Sequence, residues 1–308
     1  MPDPTVAYFR GKFVPLDQAT VSVRCKALNY GLGVFEGIRG YWNASHNQLY
    51  VFRLREHFER LRKSCLICRL PLSHTVDELI EITCELLRRN EHREDVYVRP
   101  LVYVATELLA PALPTDPAEV DTTLWTLPLR NYFHGQALTA HVTSWRRVSD
   151  NMIPARAKPT GAYLNSALAR AEAHEAKCDE AIFLTNDGYV SEGSAEHLFL
   201  VLDGKLVTST AQDDNLDGIT RRTILEIAAK ELGIETVARR VSRTELYIAD
   251  EAFFCGTGAE VVPVVSIDHR AVGNGEQGPV TTAICELYRR VVHNEVPKYS
   301  AWCHPVYK

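Results

Sequence analysis

Lys158 sits in Asn151–Ser166, NMIPARAKPTGAYLNS, where an irregular proline-bearing stretch gives way to a helix. Tyr163, Leu164, Ala167, Leu168 and Ala171 recur at helical spacing, and Thr160 is placed as the N-cap. A lysine beside a helix N-terminus feels the positive end of the dipole, which favours the neutral, nucleophilic amine that Schiff-base chemistry with an aldehyde requires. Most lysines next to helices are solvated surface charges, so the reading depends on what accompanies this one. Glu192, in Ser191-Glu-Gly-Ser, follows a strand and a tight turn, where an ordinary turn glutamate is also expected. Gly218-Ile219-Thr220 opens a helix whose apolar positions Leu225, Ala228 and Leu232 precede Gly233. Such a start offers backbone N–H groups to an anion, although on its own it is only an N-cap. Gly256-Thr257-Gly258, after the apolar run Ala252–Phe254, could add further N–H groups as a nest. Tyr97 and Arg99 lie two apart on a strand and project to one face, as an anion-binding pair would.

These residues need elements to hold them. Around Arg10-Gly11 the pattern predicts a hairpin over Tyr8–Val14. Leu54, Phe58, Leu61 and Cys65 mark an amphipathic helix, with Arg60 beside the stripe. Thr75-Val-Asp-Glu78 is a capping box opening a second helix, in which Leu79, Ile82, Leu86 and Leu87 face inward. Val96–Val104 reads as a strand, and Pro100 argues for an edge or a bulge. A loop rich in proline and acid over Pro111–Val120 leads to a strand near Thr122–Leu127. Further on, Ala181–Thr185 and Tyr189–Val190 flank a turn, and His197–Leu202 and Lys205–Thr208 flank the hairpin signal Asp203-Gly204.

Length and composition set the frame. At 308 residues the chain predicts two domains: a small N-terminal α+β domain over 1–127, a linker over 128–136, and a larger α/β domain over 137–308. A 46% hydrophobic and 24% charged composition is that of an ordinary globular protein. The net charge of −5 and the lack of a basic cluster argue against nucleic acid or an anionic membrane as partner. No apolar run reaches a membrane span, and MPDPTVAYFRGKFVPL lacks the make-up of a signal peptide, so a cytoplasmic location with reduced thiols is expected for the eight cysteines. Cys65 and Cys68 form a lone CxxC without a second pair, and the histidines show no ligand spacing. No metal is expected.

Eight segments together resemble the class IV, pyridoxal-phosphate-dependent aminotransferases, most closely the branched-chain amino acid aminotransferases. They are ALNYGLGVFEGIRGY (27–41), HFERLRKS (57–64), YVRPLVYV (97–104), the Lys158 segment, GYVSEGSAEHLFLV (188–201), DGITRRTI (217–224), TELYIADEAFFCGTGAE (244–260) and GPVTTAI (278–284). The resemblance runs in family order from about residue 6 to about residue 290. It implies a fold-type IV enzyme with the cofactor between the two domains. Lys158 is then the Schiff-base lysine and the acid/base. Glu192 stands at the pyridine nitrogen, Tyr163 at the phenolic oxygen and Leu216 against the ring. Arg60, Gly218, Ile219, Thr220 and Thr257 serve the phosphate. Tyr97 with the Thr257-Gly258 turn would hold the substrate α-carboxylate. Arg99, Tyr30 and Tyr132 would reach glutamate's distal carboxylate, and Phe35 and Gly37 would line the aliphatic pocket.

The implied reaction exchanges an amino group between leucine, isoleucine or valine and 2-oxoglutarate, in a homodimer or an oligomer built from dimers. A D-amino acid or (R)-amine transaminase of the same fold is the alternative. An aminodeoxychorismate-type lyase and a non-catalytic cofactor-binding protein stand further off. Two departures fall on the substrate side. The loop ATELLAPALPTDPAEV lacks the glycine-rich sequence of enteric branched-chain enzymes, and their Pro-Trp-Gly-Ala-Tyr is here Pro128-Leu129-Arg130-Asn131-Tyr132. The tail from His293 lies beyond these matching segments, and its Tyr299, Trp302 and Tyr307 predict docking on the body of the protein.

Overall fold

The computed structural model describes residues 5–129, 133 and 137–307. They divide into two compact units, one of Met1–Arg130, Ala157–Ala162 and Val291–Lys308, the other of Asn131–Arg156 and Tyr163–Arg290. The first unit gathers three stretches because each later stretch is bonded to the sheet of the first, as set out below.

In the first unit the strands are β1 (Val6–Phe9), β2 (Lys12–Pro15), β3 (Gly33–Phe35), β4 (Ile38–Asn43), β5 (Gln48–Phe52), β6 (Val96–Val104) and β7 (Val120–Pro128), with a last short strand, Cys303–Pro305, from the tail. The sheet runs from the tail strand through β5, β4, β6, β7 and β1 to β2, and β3 also pairs with β6. The expected hairpin forms, with Arg10 and Gly11 both at positive φ, the type I′ geometry that matches strand twist. Helices α1 (Lys26–Tyr30), α2 (Leu54–Ile67) and α3 (Val76–Arg89) belong here. Thr75 and Glu78 close the capping box on α3 as the sequence indicates. Leu54, Phe58, Leu61 and Cys65 of α2 meet Leu79, Leu86 and Leu87 of α3 and Ile38, Val98, Val102 and Leu124 of the sheet in one core.

Pro100 does not mark an edge. β6 is interior, flanked by β7 on one side and by β4 and β3 on the other. The Pro100 carbonyl accepts from Glu36 N–H at 3.0 Å, so the proline nitrogen faces the gap where β3 ends and β4 has not begun. No ladder bond is lost there.

The tail docks as its aromatic residues suggest. Cys303–Pro305 pairs antiparallel with β5, Arg53 N–H donates to Trp302 O at 2.6 Å, and the Arg53 guanidinium lies 3.6 Å over the Trp302 ring.

The second unit is a mixed sheet of β8 (Leu138–Arg146), β9 (Glu180–Leu184), β10 (Val190–Gly193), β11 (His197–Leu202), β12 (Lys205–Thr208), β13 (Thr236–Ala238), β14 (Glu251–Gly256), β15 (Glu260–Ile267) and β16 (Arg270–Ala271). Its order is β10-β9-β8-β15-β14-β11-β12-β13, with β16 on β15, and the tail strand of the first unit is therefore β17. The Asp203-Gly204 hairpin is present with both residues at positive φ. Helices α4 (Tyr163–Glu175), α5 (Ile219–Glu231) and α6 (Pro279–Val292) complete the chain. On α4 the face expected to be inward is outside: Leu164 and Leu168 are 69% and 37% exposed. Ala169 and Ala173 are buried instead, against Ala181 and Phe183 of β9. Small residues let the helix lie close to the sheet, and a reading weighted toward large apolar residues picks the wrong stripe. No helix among the described residues is long and apolar enough to cross a membrane, and no group of residues able to hold a metal occurs among them.

Candidate active site

Two constellations form, one in each unit. In the first, the Lys158 segment is bonded through its main chain to two of the sequence motifs. Lys158 N–H donates to Ser64 Oγ of α2 at 3.2 Å, and Lys158 C=O accepts from Phe35 N–H of β3 at 3.1 Å. Thr160 is not an N-cap. It is the first residue of a 3-10 turn, Thr160–Ala162, and its hydroxyl donates to the carbonyls of Gly31 (2.8 Å) and Gly33 (3.2 Å). A Cβ on Gly31 would come within 2.8 Å of Gly161 Cα, so Gly31 must be glycine for the two backbones to pass this closely. These bonds fix the lysine's backbone from both sides, while its half-buried amine lies 5.2 Å from the Phe35 ring centroid.

Next to it, Arg60 of α2 is not a solvated cation. Its Nε and Nη2 hold Glu36 at 2.7 and 2.8 Å, and His57, one helical turn earlier, bonds the same carboxylate at 2.8 Å. Glu36 and His57 are fully buried. Burial pushes the Glu36 pKa up, but the Arg60 charge and the Arg60 and His57 hydrogen bonds overcome it and hold the pKa at about 2. For His57 burial outweighs the pull of Glu36, so the imidazole is biased toward neutrality.

Tyr97 and Arg99 share a face of β6 as their spacing requires. Arg99 Nη2 donates to the Tyr97 hydroxyl at 2.8 Å. Its guanidinium lies 4.4 Å from the Phe35 centroid, 5.1 Å from that of Tyr97 and 5.8 Å from that of Trp125. Gly37 is glycine of necessity, since a Cβ there would collide with the Tyr97 hydroxyl. A cation, a hydroxyl and an apolar ring on one side of a sheet can take either a carboxylate or a hydrocarbon chain. Tyr30 closes α1 before Gly31 turns the chain at φ 66°, and is 38% exposed. Tyr132, and Arg130 with it, lie outside the described residues.

In the second unit, Glu192 of β10 is buried and faces two bases. Arg147 Nη2 is 2.9 Å from Oε1, and His197 Nδ1 is 3.6 Å from Oε2. Leu216 N–H points at Oε2 from 3.4 Å. Gly218 is the N-cap of α5 and takes no side-chain hydrogen bond, and a Cβ on it would run into the His197 ring. The first N–H groups of α5, at Ile219 and Thr220, thus open onto a glycine, the arrangement that suits an anion. Thr257 and Gly258 lie in the loop closed by the Gly256↔Glu260 pair of β14 and β15. Tyr163 is the half-buried first residue of α4.

Sequence reading misses Glu36, His57, Arg147 and His197. One local signal is there to use: His57 and Arg60 stand three apart on one helix, although nothing in the sequence links either to Glu36. Nothing in the sequence links Arg147 to Glu192.

Comparison with known proteins agrees with this chemistry. Residues 33–267 match the family model described as amino-transferase class IV. A protein of Aquifex aeolicus called a probable branched-chain-amino-acid aminotransferase is 44% identical, over 98% of this chain and 96% of its own length. The crystal structure of the branched-chain aminotransferase of Thermoproteus uzoniensis with norvaline is 42% identical and superposes with a TM-score of 0.93, covering 98% of this chain and 99% of that one. The T.th. branched-chain amino acid aminotransferase, complexed with N-(5'-phosphopyridoxyl)-L-glutamate, is 39% identical with a TM-score of 0.91, over 98% and 99% of the two chains. This chain belongs to the class IV aminotransferases.

Proposed function

We propose that the protein moves the amino group of leucine, isoleucine or valine onto 2-oxoglutarate with pyridoxal 5'-phosphate, as a cytoplasmic homodimer. The observation that carries the reading is the run Phe35-Glu36-Gly37. These three residues set an apolar ring beside Arg99, a carboxylate on Arg60 and a missing side chain under the Tyr97 hydroxyl, in the unit that also holds Lys158. Relatives have been solved with norvaline, an aliphatic amino acid, and with a phosphopyridoxyl-glutamate adduct, molecules of the two kinds this exchange requires.

The residues present fit the cofactor. Lys158 offers an amine on a pinned backbone, Glu192 a buried carboxylate for the pyridine nitrogen, and the glycine-capped start of α5 an anion cup at Ile219 and Thr220. Arg60 and Thr257 would add to the phosphate's partners, Tyr163 would meet the phenolic oxygen and Leu216 the ring face. When bound, the group supplies an aldehyde for the amine and a ring that withdraws electrons from the α-carbon. Lys158 Nζ then serves as the base that takes the α-proton and the acid that returns it. Tyr97 and the Thr257-Gly258 backbone orient the α-carboxylate. Arg99 receives the distal carboxylate of glutamate. When an aliphatic chain enters, the guanidinium stays over the Phe35 ring, its charge answered by ring faces.

A panel of amino donors with 2-oxoglutarate tests this. L-leucine and L-valine should turn over, and D-alanine and an (R)-arylamine should be poor. Preference for either of the last two would replace this reading with a D-amino acid or (R)-amine transaminase.

A further inference from the structure

Glu36 is a buried carboxylate of the first unit that the proposed chemistry leaves without a task. Its side chain is wholly buried and ionised, both oxygens are taken by Arg60, and His57 adds a third bond. A buried carboxylate is tolerable only when paired, and a fork-to-fork pair fixes the guanidinium plane as well as its charge. Its backbone is held too, through the 3.0 Å bond from Glu36 N–H to Pro100 O, beside Arg99. The neighbours on either side, Phe35 and Gly37, touch Arg99 and Tyr97.

We infer that Glu36 is a positioning residue that, braced by His57, fixes the Arg60 guanidinium for phosphate and ties it to the substrate-lining residues Phe35, Gly37, Tyr97 and Arg99. The inference rests on the reading of Arg60 as a phosphate partner. The arrangement trades attraction for orientation, because the anion offsets part of the arginine's charge. Removing that anion without its shape therefore has two opposed consequences. If charge dominates, Glu36→Gln binds cofactor more tightly, and if orientation dominates, it binds more weakly. A positioning role requires the second.

The test titrates apoprotein with pyridoxal phosphate for the wild type, Glu36→Gln, Arg60→Ala and the double variant, and records the 31P chemical shift of the bound phosphate. Glu36→Gln should raise Kd by about tenfold, the scale of one charged hydrogen-bonded contact, and move the 31P shift. The double variant should bind no more weakly than Arg60→Ala alone, since residues acting through one another are not additive. An unchanged or lower Kd in Glu36→Gln, or full additivity, overturns the inference. An unchanged Kd in Arg60→Ala would instead sink the reading of Arg60 itself. Should Glu36→Gln not fold, His57→Asn and His57→Leu carry the test. Asparagine places an amide near the imidazole Nδ1, so it should keep wild-type affinity while leucine loses it, and equal behaviour of the two counts against the brace.

Discussion

Lys158 is held through both main-chain groups, so its side chain can be removed without disturbing them. Lys158→Ala should abolish transamination and leave the thermal unfolding of the apoprotein near that of the wild type, and more than a trace of turnover would contradict its role. Glu192→Gln should be nearly as damaging, because a neutral side chain cannot keep the ring nitrogen protonated, and a near-normal kcat would reduce Glu192 to a structural partner of Arg147. Glu196 gives a pH prediction of a different kind. Burial, then the charge of Glu180, lifts its pKa to about 8, with the Ala195 N–H and Arg170 opposing and Glu192 adding to the rise. The folded state thus keeps a proton that the unfolded chain releases near the ordinary glutamate value. Stability should fall as pH rises from about 5 to about 8 and level off beyond. Glu196→Gln should flatten that slope and be more stable than the wild type at about pH 8.5 in thermal unfolding, and parallel curves for the two proteins would contradict the assignment.

Among the elements, β6 and the β3–β4 connection present the residues to which the proposed function assigns substrate choice. Arg99 is presented by β6 and supported by the Phe35 ring of β3. Arg99→Leu should impair the half-reaction with glutamate far more than that with leucine, by more than tenfold, given about 2–5 kcal/mol for a charged partner lost in a desolvated site. Rapid-mixing absorbance with each amino acid separately measures it. Equal losses would make Arg99 structural. The same elements mark where sequence reading works. Period-2 patterning places Tyr97 and Arg99 on one face, and turn chemistry gives the hairpins at Arg10-Gly11 and Asp203-Gly204, because both depend on neighbours in the chain. Pro100 is misjudged because its tolerance comes from a break in a partner strand sixty residues away. Thr160 is misjudged because its hydroxyl goes to Gly31 and Gly33. The α4 stripe fails because close packing selects alanine over leucine. Local signals read well, and contacts that depend on distant chain do not.

Taking the molecule as a whole, eight motifs in order are enough to identify the family, and the family model and full-length relatives agree. The embrace of Arg60 by Glu36 and of Glu192 by Arg147 cannot be read in the same way, since each joins segments whose separation carries no periodic signal. The tail, which lies beyond the eight motifs, is placed on the body of the protein from its aromatic residues alone, and its strand beside β5 completes the first unit's sheet. The central claim is an exchange between two chemically unlike amino acids through one lysine. The direct measurement follows the absorbance of the holoenzyme through both half-reactions. L-leucine alone should bleach the aldehyde band completely, releasing one equivalent of its 2-oxo acid per active site, and one equivalent of 2-oxoglutarate should restore the band while forming L-glutamate. A band that L-leucine leaves unchanged, or that 2-oxoglutarate fails to restore, would contradict the account.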